Sequence, residues 1–147
     1  MPLPPRADYE ALVYALPNRY PEVASSTLRV YSTSALTAIA EGSVFLRNGL
    51  ELRVLEVLDF KYGHIQRYSY MIFRGPDKLR WYDSEPHPEN PELAPTFPHH
   101  RHEPPDIRRN RRPAPGISFH SPNLPTLIAD CIGLGKELSA PVPPGPA

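Results

Sequence analysis

The placement of proline divides this chain more sharply than any motif in it. Of 21 prolines in 147 residues, none falls between Glu22 and Gly75, and twelve fall between Pro76 and Pro125. Proline has no backbone N–H to give to a sheet ladder, so central strands exclude it. The first stretch is free to build a sheet, and the second reads as a proline-pinned loop.

Within the proline-free stretch, apolar residues recur with a period of two. TLRVYS, from Thr27, puts Leu28 and Val30 on one face, and SVFLRNGLELRVLEVLDF is two apolar-rich runs about Asn48-Gly49. That dipeptide tolerates the positive φ of a tight hairpin turn. IQRYSYMIF sets Ile65, Arg67, Ser69, Met71 and Phe73 against Gln66, Tyr68, Tyr70 and Ile72. Gly75-Pro76-Asp77 then supplies turn chemistry before KLRWYDS. Consecutive strands with short connections pair antiparallel, which predicts a meander of four to five strands.

Helical spacing flanks the sheet. Tyr9, Leu12, Val13 and Leu16 form one stripe, with Asp8 as the expected cap and Pro17 as the stop. Leu124, Leu127, Ile128, Cys131, Ile132 and Leu138 form another, with Asn123 as cap and Pro125 in the first turn. Gly133 and Gly135 weaken it by about 1 kcal/mol each relative to alanine. The expectation is one α+β domain over residues 1–140: an N-terminal helix, a curved antiparallel meander, a C-terminal helix packed on one face and a Pro-rich, His-containing loop. Residues 1–6 and 139–147 read as disordered Pro-rich tails.

Composition narrows the class of protein. Sixteen Lys+Arg balance 16 Asp+Glu, so a polyanion site would have to be a local patch. No run approaches the roughly 18 apolar residues of a membrane span, and the N-terminus is a poor signal peptide, so a soluble, cytoplasmic protein is expected. The single cysteine, Cys131, excludes an internal disulfide and a Cys-rich zinc site, and its apolar neighbours mark it as a buried thiol.

The chemistry concentrates in the Pro-rich segment. His87, His99, His100 and His102 fall within sixteen residues, directly after KLRWYDS with its Lys78, Arg80, Trp81, Tyr82 and Asp83. Histidine can give and take protons near neutral pH, so such clustering suits acid–base or metal chemistry. As a metal site, His100 and His102 would face one way in an extended segment, with His87 or Asp83 as a third ligand, yet H-E-x-x-H and cysteine pairs are lacking. As a ribonuclease site needing no metal, histidines would act on the 2′-OH and the 5′-oxygen while Arg74, Lys78, Arg80 or Arg101 steadied the phosphate. A solvated loop whose histidines do nothing is the bland alternative.

Two further features bear on nucleic acid. DIRRNRRPAPG carries four arginines from Arg108 to Arg112, as a basic arm or a solvated linker would. Tyr68 and Tyr70, with Trp81 in the next strand, could stack unpaired bases, although cross-strand aromatics often only support a sheet. His64 and His120 lie apart and carry no assigned role.

NGLELRVLEVLDF, Tyr68-Ser69-Tyr70, Arg80-Trp81-Tyr82-Asp83-Ser84-Glu85-Pro86-His87 and Phe97-Pro98-His99-His100-Arg101-His102 together resemble the TumE family of prokaryotic type II toxin–antitoxin toxins. The similarity covers roughly residues 27–103, and the F-P-H-H-R-H end is its most specific part. Two positions depart: Pro88 stands where the family pattern has a second histidine, and Ser84 where it has asparagine. The resemblance implies a growth-inhibiting toxin that acts on RNA and is neutralised by a helix-turn-helix antitoxin encoded beside it. Carried over by position are Tyr68, Tyr70, Arg80, Asp83, His87, His100 and His102.

Taken together, the expected activity is a metal-independent ribonuclease without cofactor. His87 with His100 or His102 forms the acid–base pair, Asp83 orients a histidine or pairs with Arg80, Arg80 and Arg101 hold phosphate, and Tyr68, Tyr70 and Trp81 bind substrate. A non-catalytic binding module docking a protein through the Pro-rich loop, and a metal-dependent hydrolase using His99, His100 or His102, are the alternatives. Whether the chain is a monomer or a homodimer is left open by these residues.

Overall fold

The computed structural model describes residues 3–139. Two short helices, α1 (Arg6–Tyr14) and α2 (Leu16–Arg19), lead into strands β1 (Val23–Ser26), β2 (Arg29–Ser32), β3 (Thr37–Leu46), β4 (Leu50–Asp59), β5 (His64–Arg74) and β6 (Asp77–Asp83). A 3₁₀ turn, Pro91–Thr96, precedes β7 (His100–His102) and β8 (Arg111–Pro113), and α3 (Leu124–Ser139) closes the described chain. All pairings are antiparallel in the order β1-β3-β4-β5-β6-β7-β8, with β2 beside β1 on the same edge of β3.

The α+β class and the two flanking helices agree with expectation, but the sheet has eight strands where four to five were expected. The Pro-rich segment does not simply leave the sheet. Between Pro98 and Pro104 five residues are free of proline, and three of them, His100, Arg101 and His102, have the N–H groups a strand needs and pair with β6. The basic stretch is not a loose arm either, because Arg111 and Arg112 pair back onto β7. Pro113 is tolerated because β8 is the last strand of the sheet.

The N-terminal expectations need correction. Pro5 occupies the cap position and Asp8 lies in the first helical turn. Pro17 starts α2 instead of stopping α1, since a missing N–H costs little at a helix start. Leu3 is buried in the core, with its N–H donated to the Gly63 carbonyl, so residues 3–6 are not a loose tail. Ser139 still belongs to α3; residues 1–2 and 140–147 lie outside the described residues.

One core lies between the inner face of the sheet and the helices. Leu50, Leu52, Val54 and Leu58 of β4 and Tyr70 and Ile72 of β5 share one buried cluster with Tyr9, Val13 and Leu16 from the N-terminal helices and Leu124, Leu127, Ile128 and Cys131 from α3. The buried Cys131 thiol has its pKa pushed up to about 12, mainly by desolvation, as an inert structural cysteine should. β-bulges at Val57/Leu58 and Ile72/Phe73, on the two sides of β5, explain why strict alternation fails along that strand, where Ile72 and Phe73 are both buried.

Three glycines do specific work. Gly49, at φ +91°, closes the Arg47-Asn48-Gly49 loop, its N–H bonded to the Leu46 carbonyl. Gly135, expected only to weaken α3, lets the hairpin tip approach: a Cβ there would lie 2.2 Å from Asn48 Nδ2, which donates to the Cys131 carbonyl. Gly42 faces the β1–β2 link, and a Cβ would stand 2.6 Å from the Thr27 carbonyl oxygen and 2.8 Å from Leu28 Cα. Backbone cannot swing aside as a side chain can. Gly42→Ala is therefore expected to destabilise by about 1–3 kcal/mol or more, and Gly49→Ala, with open space around it, by about 1 kcal/mol. Urea unfolding of the two variants checks the ranking; equal costs would show that the link yields.

Candidate functional site

The β6–β7 ladder gathers the site. Asp83 stands opposite His100 and Trp81 opposite His102, so alternation puts these four side chains on the outer face, away from the helices. Asp83 Oδ2 is 3.7 Å from His100 Nε2 and 3.8 Å from His102 Nε2. One ligand atom from each of the three lies within 4.8 Å of the other two. Trp81 stacks on the His102 ring at 4.5 Å, and His87, on the segment after β6, makes an edge contact with the His100 ring at 5.1 Å.

Each member is held from behind. Asp83 Oδ1 accepts the N–H groups of Ser84 (2.7 Å) and Glu85 (3.1 Å), which leaves Oδ2 to the cluster. His100 Nδ1 lies 3.2 Å from the Pro98 carbonyl, an acceptor, so the proton belongs on Nδ1 and the Nε2 lone pair points to Asp83. His87 Nδ1 contacts Glu89 Oε1 at 3.3 Å in the same manner. Among the described residues, His87 Nε2, His100 Nε2 and His102 Nε2 are buried without a hydrogen-bond partner.

Burial also sets the protonation states. Desolvation pulls His100 below the ordinary histidine range; the bond to the Pro98 carbonyl and then Asp83 oppose this, while His87 and Arg111 reinforce it. His102 is lowered in the same way, by desolvation first and His100 second. Both imidazoles are thus kept neutral near pH 7.

Other expected site residues lie elsewhere. Arg80 and Arg101 alternate with the outer-face residues and point to the α3 side, where both meet Glu103 (3.4 and 2.8 Å) near the Tyr82–Asp130 hydrogen bond. They lie on the opposite face of the sheet from His100 and His102. Tyr70 is wholly buried and donates to Glu56, so it offers no face to a base. Tyr68 stacks on Tyr70 at 4.6 Å, donates to the Asp83 carbonyl at 3.3 Å and lies 2.6 Å from His99 Nδ1. His99 consequently faces the core side with Tyr68 and Phe119 and is not part of the cluster. Of the aromatics expected at a base-binding surface, Trp81 alone stands beside the histidines.

Arg111 is the addition. It pairs opposite His102 in the β7–β8 register, and its buried Nε has no partner. The signal was present in DIRRNRR, but which of its four arginines faces the histidines depends on a register that no local pattern specifies. A separate groove of about 500 Å³ between the β3–β4 hairpin and α3, lined by Pro21, Glu22, Arg47, Asn48, Ile132, Gly135 and Lys136, contains no histidine.

The fold and the site define an α+β domain with a compact, largely buried carboxylate–imidazole centre on the outer face of an antiparallel sheet. The family model described as "Toxin TumE" matches residues 12–134, and the chain belongs to that toxin family, which implies a cognate antitoxin as its partner. No curated protein and no solved structure shows significant similarity to it. Among the described residues, no helix is long and apolar enough to cross a membrane.

The lowered histidines make a signed prediction. The unfolded chain binds protons at His100 and His102 near pH 6.5, where the folded chain does not, so folding stability rises with pH through that region. In chelator, stability should be steady above about pH 6.5 and fall as pH drops below it. The His100→Ala/His102→Ala variant should show a shallower fall. Urea unfolding between pH 5 and 8 checks this, and equal slopes would mean that the two rings are not desolvated.

Proposed function

We propose that this chain is the toxin of a type II toxin–antitoxin pair and cleaves RNA at the Asp83–His87–His100–His102 centre, and that a helix-turn-helix protein from the adjacent gene neutralises it. The observation that carries the reading is the convergence of Asp83, His100 and His102 on one spot of the outer face, with buried ring nitrogens left free for a ligand.

In this reading His87 is the proton-transfer group. Its Nδ1 is backed by Glu89, and its Nε2 is free to accept or return a proton. Arg111 takes the phosphate role that the sequence suggested for Arg80 and Arg101, since it shares the face of the histidines. A guanidinium with an unpartnered N–H supplies the charge-assisted hydrogen bonds that a pentacoordinate phosphate needs. Trp81, already packed against His102, offers the flat surface on which an unpaired base could rest.

The test is induction of the protein alone and together with its neighbouring gene, scoring growth and total RNA, with His87→Ala/His102→Ala as control. Arrest with RNA breakdown, relieved by the neighbour and abolished in the folded variant, is the expected outcome. Removal of Arg111 as Arg111→Ala should lower cleavage by about 100-fold, on the scale of losing one transition-state donor. Normal growth with intact RNA, in cells containing soluble protein, would overturn the reading.

A further inference from the structure

We propose that Asp83, His100 and His102 together bind a divalent transition-metal ion of the zinc class, with Asp83 Oδ2, His100 Nε2 and an imidazole nitrogen of His102 as ligands. This departs from the metal-free centre expected from the sequence. It concerns the proposed ribonuclease centre but does not need RNA to be the substrate.

The distances carry the argument. Were Asp83 merely orienting the imidazoles, charge-assisted N–H···O bonds of about 2.7–2.9 Å would be expected. Instead Oδ2 stands 3.7 and 3.8 Å from the two Nε2 atoms, too far for a hydrogen bond and almost equal. Two donor atoms bound at about 2.0–2.1 Å to one tetrahedral ion lie about 3.3–3.4 Å apart. The two carboxylate–imidazole distances are therefore a few tenths of an ångström longer than in a closed metal site and nearer to it than to a hydrogen-bonded triad, and the three donor atoms all lie within 4.8 Å of one another.

The unpartnered nitrogens point the same way. His100 and His102 are 1% and 2% exposed, yet the Nε2 atoms of both, which face Asp83, have no hydrogen-bond partner among the described residues. Leaving such groups bare is costly, and a bound cation would satisfy one nitrogen on each ring. The backing is also that of a metal ligand: Pro98 takes the Nδ1 proton of His100, and Ser84 and Glu85 hold the other oxygen of Asp83.

Donor type selects the ion. Two imidazoles and one carboxylate suit zinc-class ions, whereas magnesium and calcium prefer oxygen donors. A three-ligand site leaves a coordination position open, as catalytic zinc sites do. When bound, the ion would act as a Lewis acid toward a phosphoryl oxygen or lower the pKa of a bound water. His100 and His102 then serve as ligands, and proton transfer falls to His87 alone.

The experiment uses the full-length chain without a histidine tag, stripped with chelator. Zn²⁺ is titrated by calorimetry, and Co²⁺ by its visible absorption. The parent should take up one ion per chain, and Zn²⁺ should raise its melting temperature. His100→Ala, His102→Ala and Asp83→Asn should each weaken uptake by at least about 100-fold, beyond the 10–100-fold typical of losing only a backing group. His87→Ala should retain Zn²⁺ within about tenfold, a smaller loss than a ligand variant shows. If the ligand variants fail to fold, ¹⁵N shifts of the parent's imidazoles decide: two rings should respond to Zn²⁺ at a ring nitrogen. No uptake by the parent, or stoichiometric uptake that survives loss of both histidines, would overturn the proposal. RNA cleavage persisting in chelator without uptake would reject the metal and keep the ribonuclease, whereas tight uptake by a protein that cuts no RNA would do the reverse.

Discussion

A buried carboxylate that pairs with no cation among the described residues lies at the centre of the sheet. Glu56 is wholly buried on β4, and its two oxygens accept from the hydroxyls of Tyr9 on α1 and Tyr70 on β5. Burial raises its pKa and the hydroxyl bonds pull the other way. Burial and the same carboxylate raise both phenols well above the ordinary tyrosine range, so each remains a donor. Asn123 donates to Tyr70 Oη at 3.0 Å and to the Ser118 carbonyl at 2.8 Å, while its oxygen accepts the Ser118 N–H. One network thus ties the first helix, two central strands and the entry to the last helix. A polar core of this kind tolerates few arrangements, because each unmade bond leaves a buried group bare.

That network reaches the site through Tyr68. Stacked on Tyr70, it bonds the Asp83 carbonyl and meets His99, the residue just before β7. The backbone of Asp83 and the start of the histidine strand are in this way braced from the core side while the Asp83, His100 and His102 side chains project from the other. The sheet separates two kinds of charge. Inward lie Arg80, Arg101 and Glu103 near the Tyr82–Asp130 bond, and outward lie Asp83, His100, His102 and Arg111. Tyr68, Tyr70, Arg80 and Arg101 support the centre; they do not line it.

Much of this was legible from residue order, for physical reasons that differ by element. The β3–β4 and β5–β6 hairpins follow from alternation plus a glycine able to take positive φ, both local properties. The Asp83, His100 and His102 constellation was suggested by residue type, and the parity of His100 and His102 by strand geometry. The missing strands were short or proline-flanked, so their local signal was weak. Which face each arginine takes, and whether Tyr70 is exposed, depend on register and on what packs above. Asn123 shows the same limit: it stands where a cap was expected, but its side chain serves Tyr70 and Ser118.

The prolines, which looked like a break in the sheet, take part in making the site. Pro98 directs its carbonyl to His100 Nδ1, and Pro104 follows Glu103 directly after β7. Pro113 stands opposite His100 in the last strand. A longer, freely pairing strand would continue the ladder; these three-residue strands end it where the histidines are. Fixed φ values also lower the conformational entropy lost when the segment folds against the sheet. A site whose histidines sit on a short strand between prolines can hold buried, unpartnered nitrogens in place because the backbone beneath them has few alternatives, and it is the core network reaching through Tyr68 that sets where that backbone lies.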